Sequence, residues 1–271
     1  MLQHITNLPN LFTSASIFCG LLSLTLAANA TVENPENLFK AALAIIFATL
    51  FDALDGRVAR MTRTASEFGV QYDSLADVIS FGVAPAFLVY KWGLAYYGGL
   101  GLAVAFVYVV AGAMRLARFN ITSQKMSKKW SQGLTITEAG GTLAVLIIVH
   151  HRSGAEHLSN YAAVLVTVLI LAYLMVSNIR FRTFKELRVT QRTLLGIALG
   201  FAGAAYVLVL FKDFAFLLLF GLALHIGSGL LEEVIFFRQR RLEEQQALVV
   251  ELSDGQAALD TEEAEESPEA D

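Results

Sequence analysis

Four carboxylates, Asp52, Asp55, Asp73 and Asp77, stand within 26 residues of sequence that is almost continuously apolar on either side. Acidic side chains at membrane depth are costly and mark a function by default. The spacings are i, i+3 and i, i+4, so on helices each pair shares one face. Two such helices can present four carboxylates to one point, a donor set suited to a hard divalent cation such as Mg²⁺ or Mn²⁺. Without cations the four would repel one another strongly in a low dielectric; two divalent ions balance their charge. A two-metal site holds a phosphate, offsets charge on the leaving oxygen and lowers the barrier to in-line attack. The neighbouring residues extend this reading. Gly56, with no side chain, lets a ligand approach the backbone. Ala59 continues the small face, and Arg60 offers a cation to a phosphate oxygen. Gly69 is expected to break the loop before the second pair. Arg57 and Arg60 are also close enough in sequence to form ion pairs with Asp52 and Asp55. A metal, a phosphate-binding cation and a glycine platform together point to a pyrophosphate bound at a lipid interface.

The elements that must position these residues are membrane helices. Of 271 residues, 55% are hydrophobic and 16% charged, with a mean hydropathy of +0.56. Soluble domains carry about 25% charged residues. The apolar residues form long runs, each near the roughly 20 residues that cross a bilayer as a helix. The expected fold is all-α and polytopic, with about eight spans: 9–30, 38–60, 73–95, 99–119, 139–152, 157–178, 193–211 and 213–237. The small residues at 27–31 resemble a cleavage site, but Thr13, Ser14 and Ser16 interrupt the apolar run before them. No Lys or Arg occurs in the first eight residues. A retained first helix with a polar stripe is therefore expected. Of the 20 Lys and Arg, 16 fall in the loops after spans two, four and six and in the tail. That bias puts both termini and the carboxylate stretch on the cytoplasmic face of the cytoplasmic membrane. Most of these basic residues are read as topology signals that touch anionic lipid head groups, not as a nucleic-acid surface.

Residues 1–237 are expected to form the transmembrane domain, and 238–271 an acidic cytoplasmic tail. The 11 acidic residues from Glu243 onward account for the net charge of −4; without them the remainder carries +7. The tail has too little apolar content to fold, although an amphipathic stretch at 238–252 could lie on the membrane surface before it. Gly196 and Gly200, followed by Gly203, offer a small-residue face for a homodimer or for internal packing. Cys19 is expected to be a packed thiol. The five histidines show no metal-ligand spacing and are read as non-catalytic.

Asp52-x2-Asp55-Gly56-x2-Ala59-Arg60-x8-Gly69-x3-Asp73-x3-Asp77 resembles, at every fixed position, the signature of the CDP-alcohol phosphatidyltransferases. The resemblance implies a helical membrane enzyme that cleaves a CDP-linked lipid and transfers its phosphatidyl group to an alcohol, releasing CMP. It implies metal binding by Asp52, Asp55 and Asp73, with Asp77 beside the metals as the base. It also implies that Gly56, Ala59, Arg60 and Gly69 contact the CDP moiety. Asn10 and Thr13, in the PNLFT start of span one, are similar to family residues near the nucleotide.

Further segments resemble the integral-membrane phosphatidylserine synthases: IFCGLLSL at 17–24, DSLADVISFGVAPA at 73–86, MRLARFNI at 114–121 and YLMVSNIRFRTFK at 173–185. With the signature they extend the resemblance over residues 9 to about 185. It implies CDP-diacylglycerol as donor and serine as acceptor. Ser80, Arg115, Arg118 and Asn120 are then the candidates for the acceptor side. Gly82 and Pro85 either shape that pocket or only kink a helix. One stretch departs from the pattern. Where such synthases carry a proline-containing GLPxPxAxG, this chain has GLTITEAGG, with Thr135, Thr137 and Glu138. Two other readings stay open. Glycerol phosphate or inositol phosphate could replace serine, or the aspartates could form the ion path of a cation transporter.

Overall fold

The computed structural model describes residues 8–31, 33–62, 64, 66–122, 130–154, 160–182 and 213–231. Among them are seven helices: α1 (Leu8–Ala28), α2 (Glu36–Thr62), α3 (Glu67–Trp92), α4 (Gly99–Thr122), α5 (Ile136–Arg152), α6 (Tyr161–Val176) and α7 (Phe214–Leu231). Five of these (α1, α2, α3, α4 and α7) are long and apolar enough to cross a membrane. Spans five and six of the sequence reading are the shorter helices α5 and α6. The seventh span at 193–211, the Gly196/Gly200/Gly203 face, the boundary at 237, the amphipathic stretch and the acidic tail lie outside the described residues. The chain divides after Gly227 into two units, and Ser228–Leu231 are the described part of the second.

α1 shows how the bundle is built. Its buried face carries Asn10, Thr13, Ser16, Cys19, Gly20, Ser23 and Ala27, at spacings of three and four. Leu11, Phe18, Leu21 and Leu22 point outward. In lipid, apolar side chains gain nothing by facing inward, and small or polar ones let helices approach closely. α1 lies most extensively along α2, whose buried face is also small: Ala41, Ala42, Ala44 and Ala48 beside Ile45.

α3 begins earlier than the sequence reading placed it. Ser66 caps its N-terminus, its Oγ accepting the Gly69 N–H at 3.1 Å, so Gly69 lies in the first helical turn and not in a loop. A side-chain acceptor for an otherwise unsatisfied N–H is what starts a helix there. The middle of α3 is a π-helical turn, Val78–Val83, directly after Asp77. Its cause is legible. Pro85 has no N–H to give the Phe81 carbonyl four residues back and would clash with it in an α-helix. The Tyr108 hydroxyl of α4 donates to that carbonyl instead, at 3.1 Å. Two glycines close on the same turn. A Cβ on Gly20 would sit 3.0 Å from Ser80 Cα, and one on Gly140 would sit 2.9 Å from the Phe81 oxygen. Gly82 and Pro85 therefore shape the backbone of α3. Tyr108→Phe should lower stability by about 1–3 kcal/mol, the scale of an orphaned buried carbonyl. Thermal unfolding in detergent checks this; an unchanged Tm would show that the carbonyl finds another donor.

The described residues are helical almost throughout. Two three-residue strands, β1 (Trp130–Gln132) and β2 (Arg180–Arg182), pair antiparallel. The α4 residue Arg118 anchors the same region. Its guanidinium donates to the carbonyls of Val176, Met175, Ser177 and Gln132 at 3.0–3.3 Å. A cation on the last carbonyls of α6 is favourable at a helix C-terminus.

Candidate active site

The C-terminal end of α2 and the first half of α3 bring the aspartates together. Asp52 and Asp55 share one face of α2, Asp73 and Asp77 one face of α3. Carboxylate oxygens of Asp52, Asp55 and Asp73 all lie within 4.8 Å of one another. Among the described residues no Lys or Arg pairs with these three; Arg57 and Arg60 do not form the ion pairs considered above. Three convergent oxygens with no protein cation between them match the donor set of a hard divalent ion. Asp77 stands just outside that trio. It is buried and interacts electrostatically with Asp52, Asp73 and Asp55 and with the Arg115 guanidinium.

Hydroxyls hold the carboxylates in place. Thr13 Oγ1 donates to Asp55 Oδ2 at 2.7 Å, from a position 4% exposed. The Thr137 hydroxyl, at the start of α5, donates to the Asp52 carboxylate. Asn120 of α4 donates to Ser74 Oγ at 3.0 Å, tying α4 to the turn between Asp73 and Asp77. Ser14 and Tyr72 share a hydrogen bond of 2.8 Å between α1 and α3.

Beside the trio a cleft of about 190 Å³ opens between α1, α2 and α3. Asn10, Thr13, Gly56, Ala59, Arg60 and Gly69 all line it, with Asp55 and Asp73 in the same wall. The six residues that the resemblance assigned to the nucleotide thus share one cavity next to the carboxylates. Gly69 closes on both sides: a Cβ there would sit 3.3 Å from Ser66 Oγ and 3.8 Å from Asn10 Oδ1.

The acceptor-side candidates fare differently. Ser80 is fully buried, donates to the Ser16 carbonyl at 2.9 Å and accepts from Ser16 Oγ at 3.3 Å. It ties α1 to α3. Arg118 donates to the end of α6 as described above. Asn120 positions α3 through Ser74. Arg115 is 7% exposed, interacts electrostatically with Asp77 and Glu138, and has its Cζ 5.2 Å from the Phe119 ring centroid.

GLTITEAGG, the departure from the family pattern, opens α5. Thr135 and Glu138 form a reciprocal capping box, Glu138 N–H to Thr135 Oγ1 at 3.1 Å and Thr135 N–H to Glu138 Oε2 at 3.2 Å. The other Glu138 oxygen lies 3.1 Å from His225 Nε2 of α7. Sequence reasoning set His225 aside with the other histidines and gave Thr137 no role. The threonine-x-x-glutamate spacing was the available signal for the cap; nothing local could reveal contacts to Asp52 or His225.

A sequence profile described as CDP-alcohol phosphatidyltransferase matches residues 6–169. A Helicobacter pylori protein named CDP-diacylglycerol–serine O-phosphatidyltransferase is 37% identical over 180 residues, covering 66% of this chain and 73% of the relative. Proteins of the same name from Methanocaldococcus jannaschii and Bacillus subtilis are 33% and 31% identical, each covering 66% of this chain, and 76% and 92% of the respective relatives.

Proposed function

Because this chain belongs to the CDP-alcohol phosphatidyltransferase family, we propose that it is an integral-membrane enzyme that transfers the phosphatidyl group of CDP-diacylglycerol to L-serine, releasing CMP. One observation carries the reading: three carboxylates within 4.8 Å of one another beside a cleft lined by six signature and PNLFT residues. The names of the relatives support serine as the acceptor.

Asp52, Asp55 and Asp73 are the residues to hold Mg²⁺ or Mn²⁺, two ions by charge balance, with Asp77 beside them. Bound there, the ions would neutralise the pyrophosphate and the departing CMP and polarise the reacting oxygens. The chain's own residues do the rest. Thr13 and Thr137 fix the rotamers of Asp55 and Asp52. The small surface of Gly56, Ala59 and Gly69 admits the CDP moiety, with Asn10 and Thr13 facing it across the cleft. Arg60 offers its guanidinium to a phosphate oxygen. The Asp77 carboxylate takes the proton of the serine hydroxyl. The serine oxygen then bonds to the phosphorus of the phosphatidyl group, in line with the bond to the CMP oxygen. That P–O bond breaks, and CMP leaves with the electron pair. Arg115, which interacts electrostatically with Asp77, takes the serine carboxylate. The excess of basic residues in the loops on this side supports a site facing the cytoplasm, where serine and CMP exchange with solvent.

An acceptor screen tests the proposal. Purified protein is given CDP-diacylglycerol, Mn²⁺ and one acceptor, and CMP is measured. Serine should support release at least about 100-fold faster than glycerol 3-phosphate or inositol phosphate, because a site built for one polar substrate leaves buried groups unpaired with another. Faster turnover of a phosphorylated alcohol would move the assignment to a different acceptor with the same chemistry. Release with no acceptor tried would remove it.

A further inference from the structure

The matched family region ends at residue 169, yet one side chain beyond it reaches the site. His225 of α7 places Nε2 3.1 Å from Glu138 Oε1, and both side chains are largely shielded, 14% and 31% exposed. Glu138 is held at its other oxygen by the Thr135 N–H, so its carboxylate is fixed from two sides. Arg115, buried in α4, interacts with this carboxylate and with Asp77. His225 thus contacts Glu138, and Glu138 and Asp77 both act electrostatically on Arg115.

We propose that Glu138 and His225 are positioning residues for the acceptor, with Glu138 orienting Arg115 toward the substrate carboxylate and His225 holding Glu138. This rests on the reading of serine as acceptor and adds the last described helix to the machinery. The physical reason is charge balance in a shielded place. Arg115 is buried and attracted by two acidic groups, Asp77 and Glu138, and must keep a hydrogen-bonding edge for the incoming carboxylate. A Glu138 locked by the cap and by His225 draws the guanidinium to one defined position. Without the lock, Arg115 can swing onto Asp77 and occupy the base. Such preorganisation appears in the affinity for the acceptor and leaves donor binding alone.

Two variants carry the test. His225→Phe keeps a ring in the same space and removes the donor. Glu138→Gln keeps an oxygen for the Thr135 N–H and removes the charge that Arg115 faces. In each, KM for serine should rise about 10-fold or more, the scale of one charge-assisted hydrogen bond. KM for CDP-diacylglycerol should stay within about twofold, as for a change confined to one substrate. His225→Gln, which retains an N–H donor, should recover most of the serine affinity. A purely structural role predicts something else: a lower Tm, with KM for serine unchanged in the folded protein, and that result overturns the proposal. If His225→Phe is too unstable to purify, Glu138→Gln decides alone, because its cap bond survives. Should the wild-type protein release CMP with another acceptor and not with serine, the functional reading fails and this inference falls with it. An active wild type with unaffected variants refutes the inference only.

Discussion

Asp73→Asn should lower CMP release by at least about 10³-fold, a loss of roughly 4 kcal/mol in transition-state stabilisation. The substitution is isosteric and removes one of three carboxylates that lie within 4.8 Å of one another. It therefore separates charge from shape. Its effect on stability runs the opposite way. With metal chelated, the three aspartates repel one another in a poorly screened place, so Asp73→Asn should unfold at the same temperature as the wild type or a higher one. Added Mn²⁺ should raise the Tm of the wild type, since a ligand at 100 times its Kd stabilises by about 2.7 kcal/mol. That increment should vanish in Asp73→Asn. A variant that loses activity yet keeps the Mn²⁺-dependent rise in Tm would place the ion elsewhere.

The second large effect concerns Asp77, which interacts electrostatically with the trio and with Arg115. Asp77→Asn should reduce kcat by about 10²–10⁴-fold, the usual worth of a positioned general base. KM for CDP-diacylglycerol should change little, as expected when an interaction made only in the transition state is removed. The Mn²⁺-dependent rise in Tm should survive in large part, because the three clustered carboxylates are intact. The two aspartate variants thus have different signatures, one losing metal and turnover, the other turnover alone. Full turnover in Asp77→Asn would leave the metal site standing and assign the base to another group.

The contrast between these aspartates shows what could be read from the chain and what could not. The i, i+3 and i, i+4 pairs, Gly56, Ala59, Arg60 and Gly69 are local features on two consecutive helices. Local spacing decides which face they share, so the cluster and its cleft were legible. The helical class and five of the long apolar spans were legible for the same reason. The start of α3 was misplaced because Ser66 caps it from within a polar stretch that reads as loop. The roles of Ser80, Arg118 and Asn120 depend on partners 46 to 64 residues away. Periodicity carries no information about such contacts, and a conspicuous arginine in an apolar helix proved to be a clamp on the end of α6. The π-turn is an intermediate case. Pro85 announced a disturbed α3, but only the structure gives Tyr108 as the donor that satisfies it. GLTITEAGG stood out as a departure, and it is there that α5 supplies Thr137 to Asp52 and Glu138 to His225.

The claim at the centre of this account is that Asp52, Asp55 and Asp73 hold divalent ions on which phosphatidyl transfer depends. The most direct measurement is a metal titration of the purified protein. It is stripped with a chelator, given CDP-diacylglycerol and serine, and followed for CMP as Mn²⁺ is returned. No release is expected before metal is added, and a saturable rise afterwards, absent from Asp73→Asn throughout. Release at the full rate in the stripped protein would contradict it.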